Sequence, residues 1–241
     1  MPNPAATGIK AILFDVFGTV VDWRGSLIAH LTPWGAESGL HADWEGLADA
    51  WRAAYMPSMN RVRRGEIPWH NLDDLQHESL EEIAPKFGLP KKLSEADRDH
   101  IVTAWHRLDP WPDSLEGLTG LRKIFTIAPL SNGNVALLVN MAKRAGLPWD
   151  MVFATELFRH YKPDPETYLG AVALLGLQPH ETLMAAAHNG DLRAARALGL
   201  KTAFIARLTE YGPAQKTDLG PEEDWDIVAS DIIDLATQLS A

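Results

Sequence analysis

Polar side chains that could share one reaction stand at the ends of short apolar runs. In "AILFDVFGT" the run Ala11–Phe14 stops at a single carboxylate, Asp15, followed by Thr19. "TIAPLSNG" closes on Ser131 and Asn132, "YKPDPETY" carries Lys162 and Tyr168, and "AAAHNGDL" carries His188, Asn189 and Asp191. A carboxylate can act as a nucleophile, a cation beside it favours its ionised form, and imidazole exchanges protons near neutral pH. Each residue also has an ordinary reading. Asp15 and Asp191 are acceptable helix N-caps, Ser-Asn-Gly is turn chemistry, and Lys162 before a proline suits a solvated loop. Their joint placement, one polar group per strand exit, favours a common crevice.

That placement requires a particular sheet. "RKIFTIAPLSNG" (122–133), "MVFATEL" (151–157), "TLMAAAHNG" (182–190), "KTAFIAR" (201–207) and "WDIVAS" (225–230) read as strands. Between them, "NVALLVNMAKRAGL" (134–147), "DPETYLGAVALLGL" (164–177), "DLRAARALGL" (191–200) and "DIIDLATQLS" (231–240) read as helices. Gly146 and Gly176 are placed as helix stops. Apolar strands alternating with helices predict an α/β fold, a doubly wound parallel sheet covered on both faces. Ligands in such sheets bind beyond the carboxyl ends of the strands.

Residues 24 to about 112 interrupt the rhythm. "WEGLADAWRAAYMPSMNRVRRG" (44–65), "NLDDLQHESLEEIAPKFG" (71–88) and "SEADRDHIVTAWHRL" (94–108) are helical patterns, and "DPWPDS" (109–114) punctuates their end. A helical insert directly after the first strand would lie over the sheet's carboxyl edge as a lid. "GPAQKTDLGPEEDW" (212–225) is polar and reads as an exposed loop.

Composition narrows the functions. The chain has 241 residues, 46% hydrophobic, and a formal charge of −10. That charge argues against a nucleic-acid or anionic-membrane partner, since both reward clustered Lys and Arg. With no cysteine there is no disulfide, thiolate nucleophile or Cys-ligated zinc. "MPNPAATGIK" lacks the apolar stretch of a signal peptide, and no apolar run approaches the roughly 20 residues of a membrane helix. A cytoplasmic protein is expected.

With these residues in view, the chain resembles the haloacid dehalogenase superfamily over nearly its whole length. "DVFGT", "SNG" and "YKP" match three family motifs in order, and "HNGD" matches the acidic fourth more loosely. The resemblance implies a Rossmann-like catalytic core of residues 1–23 and 110–241 and a helical cap domain of residues 24–109. Phosphatases of the superfamily carry a second Asp two residues after the nucleophile, because an alkoxide leaving group needs a proton. Here that position is Phe17. They also use magnesium, and hard cations want several oxygen ligands, yet "NGDLRAA" supplies Asp191 alone. A halide leaves as a stable anion and needs no acid.

The departures therefore point to carbon–halogen cleavage, and the insert resembles the cap of the L-2-haloacid dehalogenases (haloacid dehalogenase type II). What this implies is hydrolysis of short (S)-2-haloacids to (R)-2-hydroxyacids through an aspartyl ester, with no cofactor and no metal. Asp15 is the nucleophile, oriented by Thr19 and kept ionised by Lys162, and Asp191 activates water. Arg52 and Asn132 receive the halide, while Ser131 and the backbone amides of Val16 and Phe17 hold the substrate carboxylate. Tyr168 matches a family tyrosine near the lysine. Arg52 alone would read as a surface arginine on an amphipathic helix. The family's Ser-Ser-Asn is here Ala186, Ala187 and His188. Either His188 fills space, or it deprotonates the hydrolytic water or binds the substrate carboxylate; Asp22 is a candidate partner for it. A homodimer is compatible with the apolar cap helices. Two alternatives remain open, a magnesium-dependent phosphatase of small phosphate esters and a non-catalytic binding protein.

Overall fold

The computed structural model describes residues 7–240; residues 1–6, the head of the "MPNPAATGIK" stretch, and residue 241 lie outside the described residues. The principal sheet is six-stranded, β5-β4-β1-β6-β7-β8, and parallel at every pairing. Its strands are β1 (Ala11–Phe14), β4 (Thr126–Ser131), β5 (Phe153–Ala154), β6 (Thr182–Ala186), β7 (Lys201–Ile205) and β8 (Ile227–Ala229). The chain builds outward from β1 to β4 and β5, then returns to β6 on β1's other side. The order reverses at β1, and Asp15 stands at that switch point, where doubly wound sheets open a crevice. Side chains alternate along β1: Ile12 and Phe14 join one buried cluster and Leu13 the other, as a strand covered on both faces requires.

Helices α5 (Ser114–Arg122), α6 (Val135–Ala145), α7 (Pro165–Leu174), α8 (Asn189–Ala197) and α9 (Ile232–Ser240) cover the sheet. Gly146 ends α6 in the left-handed region at φ 72°, as the sequence predicts. Three expectations are corrected. The strand predicted over 151–157 is only Phe153–Ala154; the chain then turns so that Glu156 accepts the Val135 amide at the start of α6 (2.9 Å). Helix α5 lies where no helix is predicted. The 212–225 loop is not simply exposed: Trp225 is buried, and Asp218 accepts from Asn189 (2.8 Å) at the start of α8.

Between β1 and α5 runs a helical segment: α1 (Trp23–Ser38), α2 (Trp44–Arg63), α3 (Leu72–Ile83) and α4 (Glu95–Val102). Its entry and exit are tied by a two-stranded antiparallel ladder, β2 (Val21–Asp22) with β3 (Asp109–Pro110). Trp23 stacks on Trp105 (6.1 Å), while Trp51 and Phe17 meet Trp105 edge-on, each at 5.7 Å. Buried aromatic pairs of this geometry add about 1 kcal/mol each beyond area burial, so the segment and the loop after β1 form one apolar unit. Among the described residues no helix is long and apolar enough to cross a membrane.

Candidate active site

The loop after β1 is held from several sides. Gly18 sits at φ +88°, its amide bonds the Val21 carbonyl, and its own carbonyl accepts from the Trp111 indole (2.8 Å). Ser114 bonds the Val20 carbonyl at 2.7 Å and Arg207 the Thr19 carbonyl at 2.9 Å. Arg207 is itself clamped by Asp113 through two bonds of 2.8 and 2.7 Å. These contacts fix Asp15 and Thr19 before any ligand arrives, the preorganisation that positioned chemistry needs.

Asp15 has both oxygens engaged. Lys162 Nζ donates to Oδ1 at 2.8 Å, Thr19 Oγ1 donates to Oδ2 at 2.8 Å, and His188 Nδ1 lies 3.1 Å from Oδ2. Burial opposes the Asp15 charge, but Lys162 and His188 outweigh it and hold the carboxyl well below the usual range. Lys162 also donates to Asp191 Oδ2 (2.6 Å), and Tyr168 donates to Asp191 Oδ1 (2.5 Å). Burial works against the ammonium too, yet the two carboxylates raise Lys162 above its ordinary value. Asn132 Oδ1 accepts the Lys162 backbone amide at 2.8 Å and so sets where that lysine starts. Ser131 Oγ accepts the Gly133 amide (3.2 Å) beneath the same crevice. Among the described residues, neither the Val16 nor the Phe17 amide is donated to another protein group, so both are available to an anion beside Asp15.

Arg52 approaches from α2. Asp43 caps that helix through the Gly46 amide (2.9 Å), and Ala48, Trp51, Tyr55 and Met59 bury its inner face at helical spacing. Arg52 falls beside Tyr55 on this face, its guanidinium carbon 4.5 Å from the Tyr55 ring, 5.5 Å from Trp23 and 5.9 Å from Tyr211. The surface-arginine reading is thereby excluded: only 13% of the side chain is exposed, and it borders the same cavity of about 330 Å3 as Asp15. Burial opposes its charge, while Tyr211, Tyr55 and Glu210 raise it well above the ordinary range. Phe17 walls that cavity and packs edge-on against Tyr55 at 6.2 Å.

Sequence reasoning missed Glu210. It lies beyond β7, is fully buried, accepts from His188 Nε2 (2.9 Å) and from the Trp23 indole (3.0 Å), and stands 3.7 Å from Arg52. An acid downstream of a strand exit was the available signal, but no spacing ties it to His188. Asp22, considered as the partner of His188, instead caps α1 through the Gly25 amide (2.8 Å). The donor set does not suit a hard divalent cation. The oxygens of Asp15 and Asp191 are already taken by Lys162, Thr19, His188 and Tyr168, and among the described residues no group of three or more His, Cys, Asp or Glu is arranged to hold a metal.

Known proteins are similar to this chain in sequence and fold. A family model described as haloacid dehalogenase-like hydrolase matches residues 9–199. The crystal structure of the L-2-haloacid dehalogenase PA0810 superposes with a TM-score of 0.93 at 55% identity, covering 96% of this chain and 99% of that one. That of the defluorinating L-2-haloacid dehalogenase Rha0230 gives a TM-score of 0.95 at 46% identity, covering 100% of this chain and 99% of that one. The (S)-2-haloacid dehalogenase 1 of Pseudomonas sp. strain CBS-3 is 28% identical over 206 residues, 84% of this chain and 86% of that protein. The chain belongs to the haloacid dehalogenase-like hydrolases.

Proposed function

We propose that this protein hydrolyses short (S)-2-haloacids to (R)-2-hydroxyacids through an ester on Asp15. The observation that carries the reading is the pairing of an ionised, doubly supported Asp15 with Phe17, a ring that cannot protonate a leaving oxygen. A phosphate ester would leave an alkoxide unprotonated here, whereas a halide needs only a cationic cradle. Relatives at 55% and 46% identity, both L-2-haloacid dehalogenases, support the same choice.

In the first step a carboxylate oxygen of Asp15 attacks the α-carbon from the side opposite the halogen, and the carbon–halogen electron pair leaves as halide toward Arg52 and Asn132. Arg52 suits this task because its charge is permanent and its donors form a fixed fork. Ser131 and the Val16 and Phe17 amides hold the substrate carboxylate. In the second step water attacks the side-chain carbonyl carbon of Asp15, so inversion at the α-carbon is retained in the product.

We assign the water's proton to His188. Asp191 has one oxygen on Lys162 and the other on Tyr168, which suits it to holding the lysine. The helical segment of residues 24–109 acts as a cap over the core of 1–23 and 110–241, its Arg52, Tyr55 and tryptophans excluding water and strengthening each charge interaction inside. A cytoplasmic location belongs to the same reading; a homodimer is compatible with it, and light scattering sizes the assembly.

The test is halide release from each enantiomer of 2-chloropropionate, with and without EDTA, with chiral analysis of the lactate. Chelator-insensitive chloride from the (S) form and (R)-lactate as product are expected. Chelator-sensitive hydrolysis of p-nitrophenyl phosphate without chloride release would overturn the reading. Fluoroacetate belongs in the series because the relative at 46% identity is a defluorinating enzyme.

A further inference from the structure

Both ring nitrogens of His188 face carboxylates. Nδ1 lies 3.1 Å from Asp15 Oδ2, and Nε2 lies 2.9 Å from Glu210 Oε2. Ionised carboxylates only accept, so a neutral imidazole, with one N–H, would leave one of these contacts without a proton. The imidazolium satisfies both. Glu210 has no solvent to turn to, since its side chain is 1% exposed and its other oxygen takes the Trp23 indole (3.0 Å). Space for it is made by Gly18, where a Cβ would stand 2.2 Å from the Glu210 carboxyl carbon. Two loops from different strands thus place a second carboxylate behind the histidine.

We infer that the His188–Glu210 pair times the two halves of the reaction: the imidazolium holds Asp15 while the nucleophile is charged, and alkylation of Asp15 frees Nδ1 to receive the proton of the hydrolytic water, with Glu210 anchoring Nε2. This inference rests on the ester mechanism proposed above. Glu210 is a positioning residue that selects the tautomer; His188 makes the proton transfer.

The charges around the ring support this order. Burial pushes His188 toward neutrality, and the Glu210 charge together with bonds to Asp15 and Glu210 overcomes it, holding the ring well above its ordinary range. Lys162 and Asp191 lie beyond Asp15, Arg52 lies beside Glu210, and Asp22 feels the Glu210 charge from the end of β2. When Asp15 becomes an ester its charge disappears, while Lys162 remains. Burial and the lysine then oppose the imidazolium, with Glu210 alone supporting it. Losing a carboxylate at hydrogen-bond distance lowers a histidine by about 2 pH units.

The protons balance. Ester formation releases halide and moves no proton. The imidazolium then gives its Nδ1 proton to solvent, the net proton of the reaction. Water next gives a proton to Nδ1 as its oxygen bonds the Asp15 carbonyl carbon. Collapse breaks the ester C–O bond, the departing alkoxide takes the remaining hydroxyl proton, and Asp15 and imidazolium are restored.

Titration of the full-length protein, labelled with 15N-histidine and followed by NMR, tests this. Asp15→Asn stands in for the neutral esterified side chain, Asp15→Ser is a second neutral replacement, and His188→Gln assigns the signal. In wild type both ring nitrogens are expected to stay protonated through neutral pH, well above the ordinary histidine range. In the Asp15 variants His188 should titrate at least about 2 units lower, losing the Nδ1 proton and keeping Nε2–H. Glu210→Gln should lower the titration with Asp15 intact and unsettle the tautomer, a signature that loss of packing would not produce. The inference is overturned if His188 titrates alike in wild type and the Asp15 variants, or if it is neutral in wild type at pH 7. Chloride release is measured on the same wild-type sample. Its absence sinks the dehalogenase reading, whereas chloride release with an unmoved His188 sinks this inference alone.

Discussion

Replacing Lys162 by Met probes the electrostatics on which nucleophilic attack depends. The lysine nitrogen is 2.8 Å from Asp15 and 2.6 Å from Asp191, with each side chain in the group no more than 10% exposed. Without it, the carboxylate oxygens face each other across at most about 5.4 Å, the two contacts laid end to end. At an effective dielectric constant of roughly 20, their repulsion is about 3 kcal/mol, equivalent to about 2 pKa units. The attraction lost at 2.8 Å is larger, about 6 kcal/mol on the same scale. Burial, which already pushes Asp15 upward, is then opposed by His188 alone among the neighbouring cations. The acid limb of kcat/KM, which reports free-enzyme ionisation, should therefore move up by at least about 2 pH units.

Stability should respond with a definite sign. In wild type the depressed Asp15 carboxyl contributes stability that is fully present above the unfolded value of about 4 and is lost as pH falls through the folded value. Lys162→Met removes most of this contribution, so its stability should fall less steeply than that of wild type between about pH 4 and 2. Halide release across pH, with thermal melts of both proteins in the same buffers, provides the assay. A folded variant with an unmoved acid limb would refute the reasoning.

The remaining predictions concern the residues around this pair. Arg52→Lys keeps the charge but loses the planar fork stacked 4.5 Å from Tyr55; kcat/KM should drop by about 100-fold, with weaker inhibition by added chloride, and unchanged kinetics would refute the halide cradle. Phe17→Ala empties a ring that is 3% exposed and should cost about 3 kcal/mol in denaturant unfolding; it should expose no EDTA-sensitive phosphatase activity. Arg207→Met leaves Asp113 unpaired and should cost about 3 kcal/mol at neutral pH. Burial raises the Asp113 carboxyl, but Arg207 holds it low, so that cost is fully present above the unfolded value and shrinks with falling pH. The gap between wild-type and variant melts should narrow as pH falls below the unfolded value of about 4.

What could be read in advance was local. Polar residues where apolar strands end are visible because strand length and alternation are local properties, and the parallel sheet brings those ends together. The residues missed depend on contacts between distant segments. Glu210 reaches His188 only because the chain beyond β7 folds back over the β1 loop, and Gly18 leaves room for it. Helix α5 was hidden by two glycines in "SLEGLTGLR", which weaken a helical pattern. Gly117 is needed there because a Cβ would meet the Ile232 backbone at 2.6 Å. The short β5 follows from the demand that Glu156 cap α6, which no periodicity reveals. Asp22 drew attention as an acid near the nucleophile, and its nearest backbone amide claimed it first.

The most direct test of the account is a single turnover with enzyme in excess over (S)-2-chloropropionate in water enriched in 18O. The account predicts that the heavy oxygen enters the Asp15 carboxylate, detected in the peptide containing residue 15, while the first-turnover lactate stays unlabelled. Label in that lactate with none on Asp15 would mean that water attacks the substrate carbon directly, and the nucleophile assigned to Asp15 would be wrong.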